Sequence, residues 1–252
     1  MAVLCGLGGA GKTSVAIEYA HRQLGEVGVC WQFAAEDPTV LAAEFGVLAA
    51  QLGARDLVDA RDPVASVHSA LARAQAAWLV VFDNVPDLAS VQPFLPPAGP
   101  GRVLITSQSQ HWPPGWSVQV PVLDAQVAAQ FLTARTGAAD HYVTLELATE
   151  LGGLPLALEQ AAAYMQATGI QPTQYLELYR ARQTDLLARG DVAGHRDHVA
   201  ATLGLALSRL GQEATGLMRL LAVLAPEPVP LGLLLAGQEA SRHLEADVSQ
   251  LL

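Results

Sequence analysis

Four short, nearly continuous apolar runs punctuate the first half of the chain: Ala2-Val3-Leu4-Cys5, Val27-Gly28-Val29-Cys30-Trp31-Gln32-Phe33, Trp78-Leu79-Val80-Val81-Phe82 and Val103-Leu104-Ile105. Runs of this length ending in polar residues are the pattern of parallel strands covered on both faces. Between them, Ser14 to Leu24, Pro38 to Leu52 and part of Leu57 to Ala77 place apolar residues at helical spacing. Strands alternating with helices predict an α/β domain with right-handed crossovers and its ligand at the strand tips, ending near Val122. Beyond Asp124 the strand pattern stops. Asp124 to Thr136, Tyr142 to Leu151, Leu154 to Thr168 and Thr173 to Leu187 read as consecutive helices of a small bundle. Leu187 to Asp197 reads as a linker, with His195 and His198 as solvated linker residues. Two more apolar helices are expected over Val199 to Leu210 and Glu213 to Leu224. A turn at Pro226-Glu227-Pro228-Val229-Pro230 follows, then the start of another helix at Leu231 to Ala236. The expected units are residues 1–122, 123–190 and 191–252.

The first loop gives this frame a chemistry. Gly6-Leu7-Gly8-Gly9-Ala10-Gly11-Lys12-Thr13 fits G-x-x-x-x-G-K-[ST], with a strand before it and a helix from Ser14 after it. Backbone amides from Gly8 through Ser14 are expected to converge on phosphate oxygens at the positive end of the helix. Lys12 would supply a cation for the outer phosphates and Thr13 a hydroxyl for Mg2+. Lys12 is the only lysine in the chain; every other permanent cation is arginine. A planar guanidinium does not replace a compact ammonium in a tight loop.

Asp83, at the end of an apolar strand some seventy residues later, is the candidate second magnesium ligand; the alternative for it alone is a turn cap. Asn84 follows, where many P-loop ATPases place a carboxylate that polarises the attacking water. An amide can orient water but cannot accept its proton, so slow or negligible turnover is expected. Lys12, Asp83 and Asn84 are thus the candidate catalytic residues. Thr106-Ser107-Gln108 ends the other apolar strand, where polar side chains, Ser107 among them, are candidates to reach the outer phosphate; a plain strand end is the alternative.

Composition narrows the partners. With 14 basic against 24 acidic residues, the net charge of −10 argues against a nucleic-acid surface, which needs clustered cations. The two cysteines lie in predicted strands and read as buried free thiols. The scattered histidines make no metal set. Trp112 and Trp116 around Pro113-Pro114-Gly115 read as a packed loop. No leader is evident, and the longest apolar region is broken by Arg219 and the prolines, so a soluble cytoplasmic protein is expected.

Taken in order, these motifs resemble the STAND class of signal-transduction ATPases, specifically the bacterial NB-ARC branch whose members often carry tetratricopeptide repeats. The resemblance rests on Gly6 to Thr13, Glu18-Tyr19-Ala20-His21-Arg22, Trp78 to Asn84, Val103 to Ser107, and Gly153-Leu154-Pro155-Leu156-Ala157, which looks like the family's GLPL signature. It extends to Ala200–Leu234, similar to the start of the family's winged-helix domain. The fold it implies is a P-loop NTPase sheet sandwiched by helices, then a lid bundle and a partial winged helix. By that likeness Pro155 contacts adenine and the bundle belongs to the ATP/ADP site. Gln108 stands where the family usually has a sensing arginine. The family's upstream base-binding segment would precede Met1, and its ADP-holding histidine would lie beyond Leu252.

The leading function is a nucleotide-controlled switch: ADP holds the units closed, while ATP with Mg2+ favours an open form that self-associates. A steadily cycling P-loop ATPase or kinase, and a nucleotide-binding transcriptional regulator, are the alternatives.

Overall fold

The computed structural model describes residues 1–53, 62–188 and 195–223. Five parallel strands make one sheet: β1 (Ala2–Cys5), β2 (Val29–Ala34), β3 (Trp78–Asp83), β4 (Arg102–Ser107) and β5 (Ser117–Gln119), in the order β2-β3-β4-β1-β5. The fold is α/β, as the alternation of runs and helical segments predicts. β5 is the strand that the pattern does not announce. It has three residues, all exposed, and no apolar run to mark it.

Period two sorts each strand between two faces. Val3, Cys5, Phe33, Val80, Phe82, Val103 and Ile105 face α2 (Pro38–Gln51) and α3 (Pro63–Arg73). There Phe33 stacks on Phe45 at 4.4 Å and on Phe82 at 5.3 Å. Leu4, Leu79, Val81 and Leu104 face α1 (Lys12–Gln23), which closes over them through Ala16. Trp112 and Trp116 pack against the α2–α3 side. Cys5 is buried and Cys30 half-buried, where desolvation raises the thiol's pKa.

After the short α4 (Leu88–Val91), a second core is built by α5 (Ala125–Thr136), α6 (His141–Glu150), α7 (Pro155–Thr168) and α8 (Pro172–Ala188). Small residues let the helices approach closely: Ala128, Ala129, Ala148, Ala157, Ala161 and Ala162 are all fully buried. α9 (His195–Leu207) joins this core through Ala201 and Leu205, and α10 (Gln212–Val223) follows.

The expected linker is shorter than its composition suggests, because α8 runs to Ala188 and α9 begins at His195. His198 is therefore not a solvated linker residue. It sits on α9, half-buried, with Nδ1 2.7 Å from the Tyr179 hydroxyl. The proline-rich turn and the helix start at Leu231 lie outside the described residues. Among the described residues no helix is long and apolar enough to cross a membrane.

Asp124 caps α5, accepting from the amides of Gln126 and Val127 at 3.0 Å each. Asp124→Ala is expected to remove about 1 kcal/mol of stability. A lower urea midpoint with unchanged slope would show it.

Candidate functional site

Gly6 to Gly11 join β1 to α1, and the left-handed Gly11 turns the chain into the helix. Open space borders that turn: a Cβ built on Gly11 meets nothing within 4 Å. Lys12 is 7 % exposed and folds back, its Nζ donating to the carbonyls of Leu7 at 2.7 Å and Gly6 at 3.1 Å. Desolvation lowers its pKa, opposed by the Asp83 carboxylate and by Cys5. Because the folded pKa is depressed, burying this ammonium costs stability at neutral pH, and the cost is relieved as pH rises above the folded pKa. Two carbonyls and a carboxylate at longer range only partly offset the desolvation of this cation. Ser14 is exposed on the first turn.

β4 lies between β1 and β3, so the loop strand and the Asp83 strand are not neighbours. Thr106 bridges the gap. Its hydroxyl donates to Asp83 Oδ1 and accepts from the Asn84 amide at 2.8 Å. Thr13 Oγ1 donates to the same Oδ1 at 2.8 Å, and Gln32 Nε2 to Oδ2 at 3.3 Å. A carboxylate and a hydroxyl at this separation form an all-oxygen pair, the donor type that Mg2+ takes, and Thr13 and Asp83 would hold it. Asn84 has φ of +60°, a left-handed conformation that asparagine tolerates better than most residues. Its side chain is exposed at the strand tip.

Ser107 does not join this group. Period two puts it on the face of Val103 and Ile105, away from α1, and its buried hydroxyl donates to the Val85 carbonyl at 2.6 Å while accepting from the Ser109 amide. Thr106, one residue earlier, shares the face of Leu104 and meets Asp83. Gln108 lies beside the loop, its Oε1 3.5 Å from a Cβ built on Gly8. Thr106→Val is expected to cost about 1 kcal/mol, because the part-buried Asn84 amide and the Asp83 carboxylate lose their bonds to the hydroxyl. It should also weaken the magnesium-dependent part of nucleotide affinity, measured by calorimetry with and without the metal.

The bundle touches the loop directly. The Leu156 amide donates to the Gly9 carbonyl at 3.2 Å, and a Cβ on Gly9 would meet Leu156 Cβ at 2.9 Å. Ala10 of the loop is buried within the bundle's own core. Pro155, half-buried, opens α7, where the missing N–H costs nothing. These contacts stand two to three residues past Gly153, so the Gly-Leu-Pro-Leu segment is the bundle's docking edge.

Strand order, loop and the Thr13–Asp83 pair together are the arrangement of a P-loop α/β fold. No protein-family model matches the chain. Among curated proteins it is similar to the regulatory protein AfsR of Streptomyces griseus, 27% identical over 272 residues, covering all of this chain and 27% of that protein. It is also similar to AfsR of Streptomyces coelicolor, 27% identical over 239 residues, covering 88% of this chain and 24% of that one. The chain thus spans about a quarter of the length of these relatives. Among solved structures, a signal transduction ATPase with a tetratricopeptide repeat sensor from Pyrococcus horikoshii matches with a TM-score of 0.44 at 19% identity, over 63% of this chain and 27% of that one. Cdc6p from Pyrobaculum aerophilum matches with a TM-score of 0.47 at 15% identity, over 67% and 56%. The Aeropyrum pernix ORC1 protein, solved in complex with DNA, matches with a TM-score of 0.40 at 17% identity, over 90% and 68%.

Proposed function

We propose that this chain is the nucleotide-responsive core of a regulatory switch of the NB-ARC type within the STAND class, binding ATP or ADP with Mg2+. The observation that carries the reading is the seating of the bundle on the phosphate loop, through the Leu156–Gly9 bond and buried Ala10. A ligand that moves the loop must then move or strain the bundle. A switch shifts only by the difference in affinity between its two states, and this contact is where such a difference arises. Lys12 and the amides of Gly8 to Ser14 take the phosphates, Thr13 and Asp83 the metal, and Pro155 faces the base. Both curated relatives are named regulatory proteins, and the regulatory role comes to this chain as part of the proposal. The three units proposed are residues 1–122, 123–190 and 191–252, and the acidic balance is the ground for proposing no nucleic-acid surface on them.

Solution mass tests the reading. With ADP the protein should stay at its smallest mass, and with a non-hydrolysable ATP analogue and Mg2+ it should self-associate. Equal masses in both states would count against a switch. Turnover should be far below one per second, since Asn84 supplies no base. Steady hydrolysis of many ATP per second by the isolated protein would contradict this.

A further inference from the structure

The two oxygens of Asp83 are unequally occupied. Oδ1 accepts from the hydroxyls of Thr13 and Thr106, whereas Oδ2 meets, among the described residues, only the side-chain amide of Gln32 at 3.3 Å. Gln32 belongs to none of the motifs around the loop. It comes from β2, the strand at the edge of the sheet, and is exposed there.

Register brings it to the carboxylate. Gln32 pairs with Val81 and Ala34 with Asp83, so Gln32 stands one same-face step before the residue opposite Asp83. That residue is alanine, whose short side chain leaves the carboxylate to the longer diagonal neighbour. Gln32 and Val81 line the groove between β2 and α1 together with Ile17, which follows Thr13 by one helical turn. The chemistry of the pair then orients the amide. An ionised carboxylate can only accept, so Nε2 faces Asp83 and Oε1 is the end left over. Oε1 has no partner among the described residues.

We propose that Gln32 is a positioning residue of the magnesium site: it fixes the rotation of the Asp83 carboxylate through Oδ2 and offers its own Oε1 to a water bound to the cation; the assignment rests on the nucleotide reading above. Mg2+ gives up its waters reluctantly and keeps several of them in nucleotide sites. Groups beyond the direct ligands therefore set much of its affinity. A neutral amide adds an oxygen without adding charge beside Asp83. With one carboxylate, the site relies on nucleotide phosphates for the rest of the negative charge that holds the cation.

Calorimetric ATP affinity, taken with excess Mg2+ and again with the metal removed by a chelator, tests the assignment through the ratio of the two. Gln32→Leu removes both ends of the amide; it should shrink that ratio by about tenfold or more and leave metal-free affinity within about twofold of the parent. Gln32→Glu keeps an oxygen and adds a charge that only the cation offsets. It should restore the ratio to the parent's or above while weakening metal-free binding. Gln32→Leu at the parent's ratio would overturn the assignment, as would Leu and Glu variants that lose the ratio alike. A parent that binds ATP without help from Mg2+ would remove the Thr13–Asp83 metal pair, and one that binds no ATP would remove the nucleotide reading; either result takes this assignment with it.

Discussion

Lys12→Ala is expected to lower affinity for both ATP and ADP by roughly a hundredfold while leaving the ligand-free protein close to its original stability. The two halves of this result have one cause. The ammonium is nearly enclosed, and its hydrogen bonds among the described residues go to the carbonyls of Leu7 and Gly6, with the Asp83 carboxylate acting at longer range. Its depressed pKa records an environment that does not favour the charge. Removing it therefore takes away two modest hydrogen bonds and a desolvation cost of opposite sign. With a diphosphate present the ammonium gains charge-assisted bonds, each worth about 1.5–3 kcal/mol, and about 2.7 kcal/mol is a factor of a hundred. Calorimetry on the parent and variant reads the affinity, and a urea titration reads the stability. The same depressed pKa predicts that phosphate affinity falls on the alkaline side at lower pH than an ordinary lysine would give.

The second large effect concerns Gly153. Its φ is +62°, and a Cβ there would stand 2.1 Å from the Leu123 carbonyl oxygen. That contact cannot relax cheaply, because the Leu123 amide donates to the Gly153 carbonyl at 2.9 Å and the Gly153 amide to Ala148 at 3.1 Å. Gly153→Ala adds the left-handed penalty of about 1–2 kcal/mol to the displacement of the half-buried strand-to-bundle connection at Leu123. A total of roughly 3 kcal/mol corresponds to a melting temperature lower by about 6–12 °C. Gly169 is the control: its φ is +72°, but nothing lies within 4 Å of its Cβ position, so Gly169→Ala bears only the conformational part. Because Leu156 follows Gly153 by three residues and holds Gly9, Gly153→Ala should also weaken nucleotide binding beyond its effect on stability.

Much of the sheet can be read from the chain because β1, β3 and β4 are buried on both faces and therefore spelled in unbroken apolar residues. β5 cannot, since its exposed Ser117-Val118-Gln119 satisfies only backbone pairing. The insertion of β4 between β1 and β3 is a property of strand order, and sequence order does not encode it. That insertion brings Thr106 to Asp83. The distinction between Thr106 and Ser107 was nevertheless available: with Leu104 and Ile105 on opposite faces, period two assigns the next two residues. The loop is legible as a motif, but its seat in the bundle, through Ala10 and the Gly9–Leu156 bond, depends on how the bundle returns across the sheet. Gly190 and Gly194 suggest a linker around His198, whereas α9 begins at His195 and carries His198 into the Tyr179 contact.

Crystals soaked with ADP test the central claim most directly. The diphosphate should lie against the amides of Gly8 to Ser14, with Lys12 Nζ lifted from the Gly6 and Leu7 carbonyls onto phosphate oxygens. ADP bound elsewhere, or a loop that keeps Lys12 on its own carbonyls at saturating ADP, would contradict it.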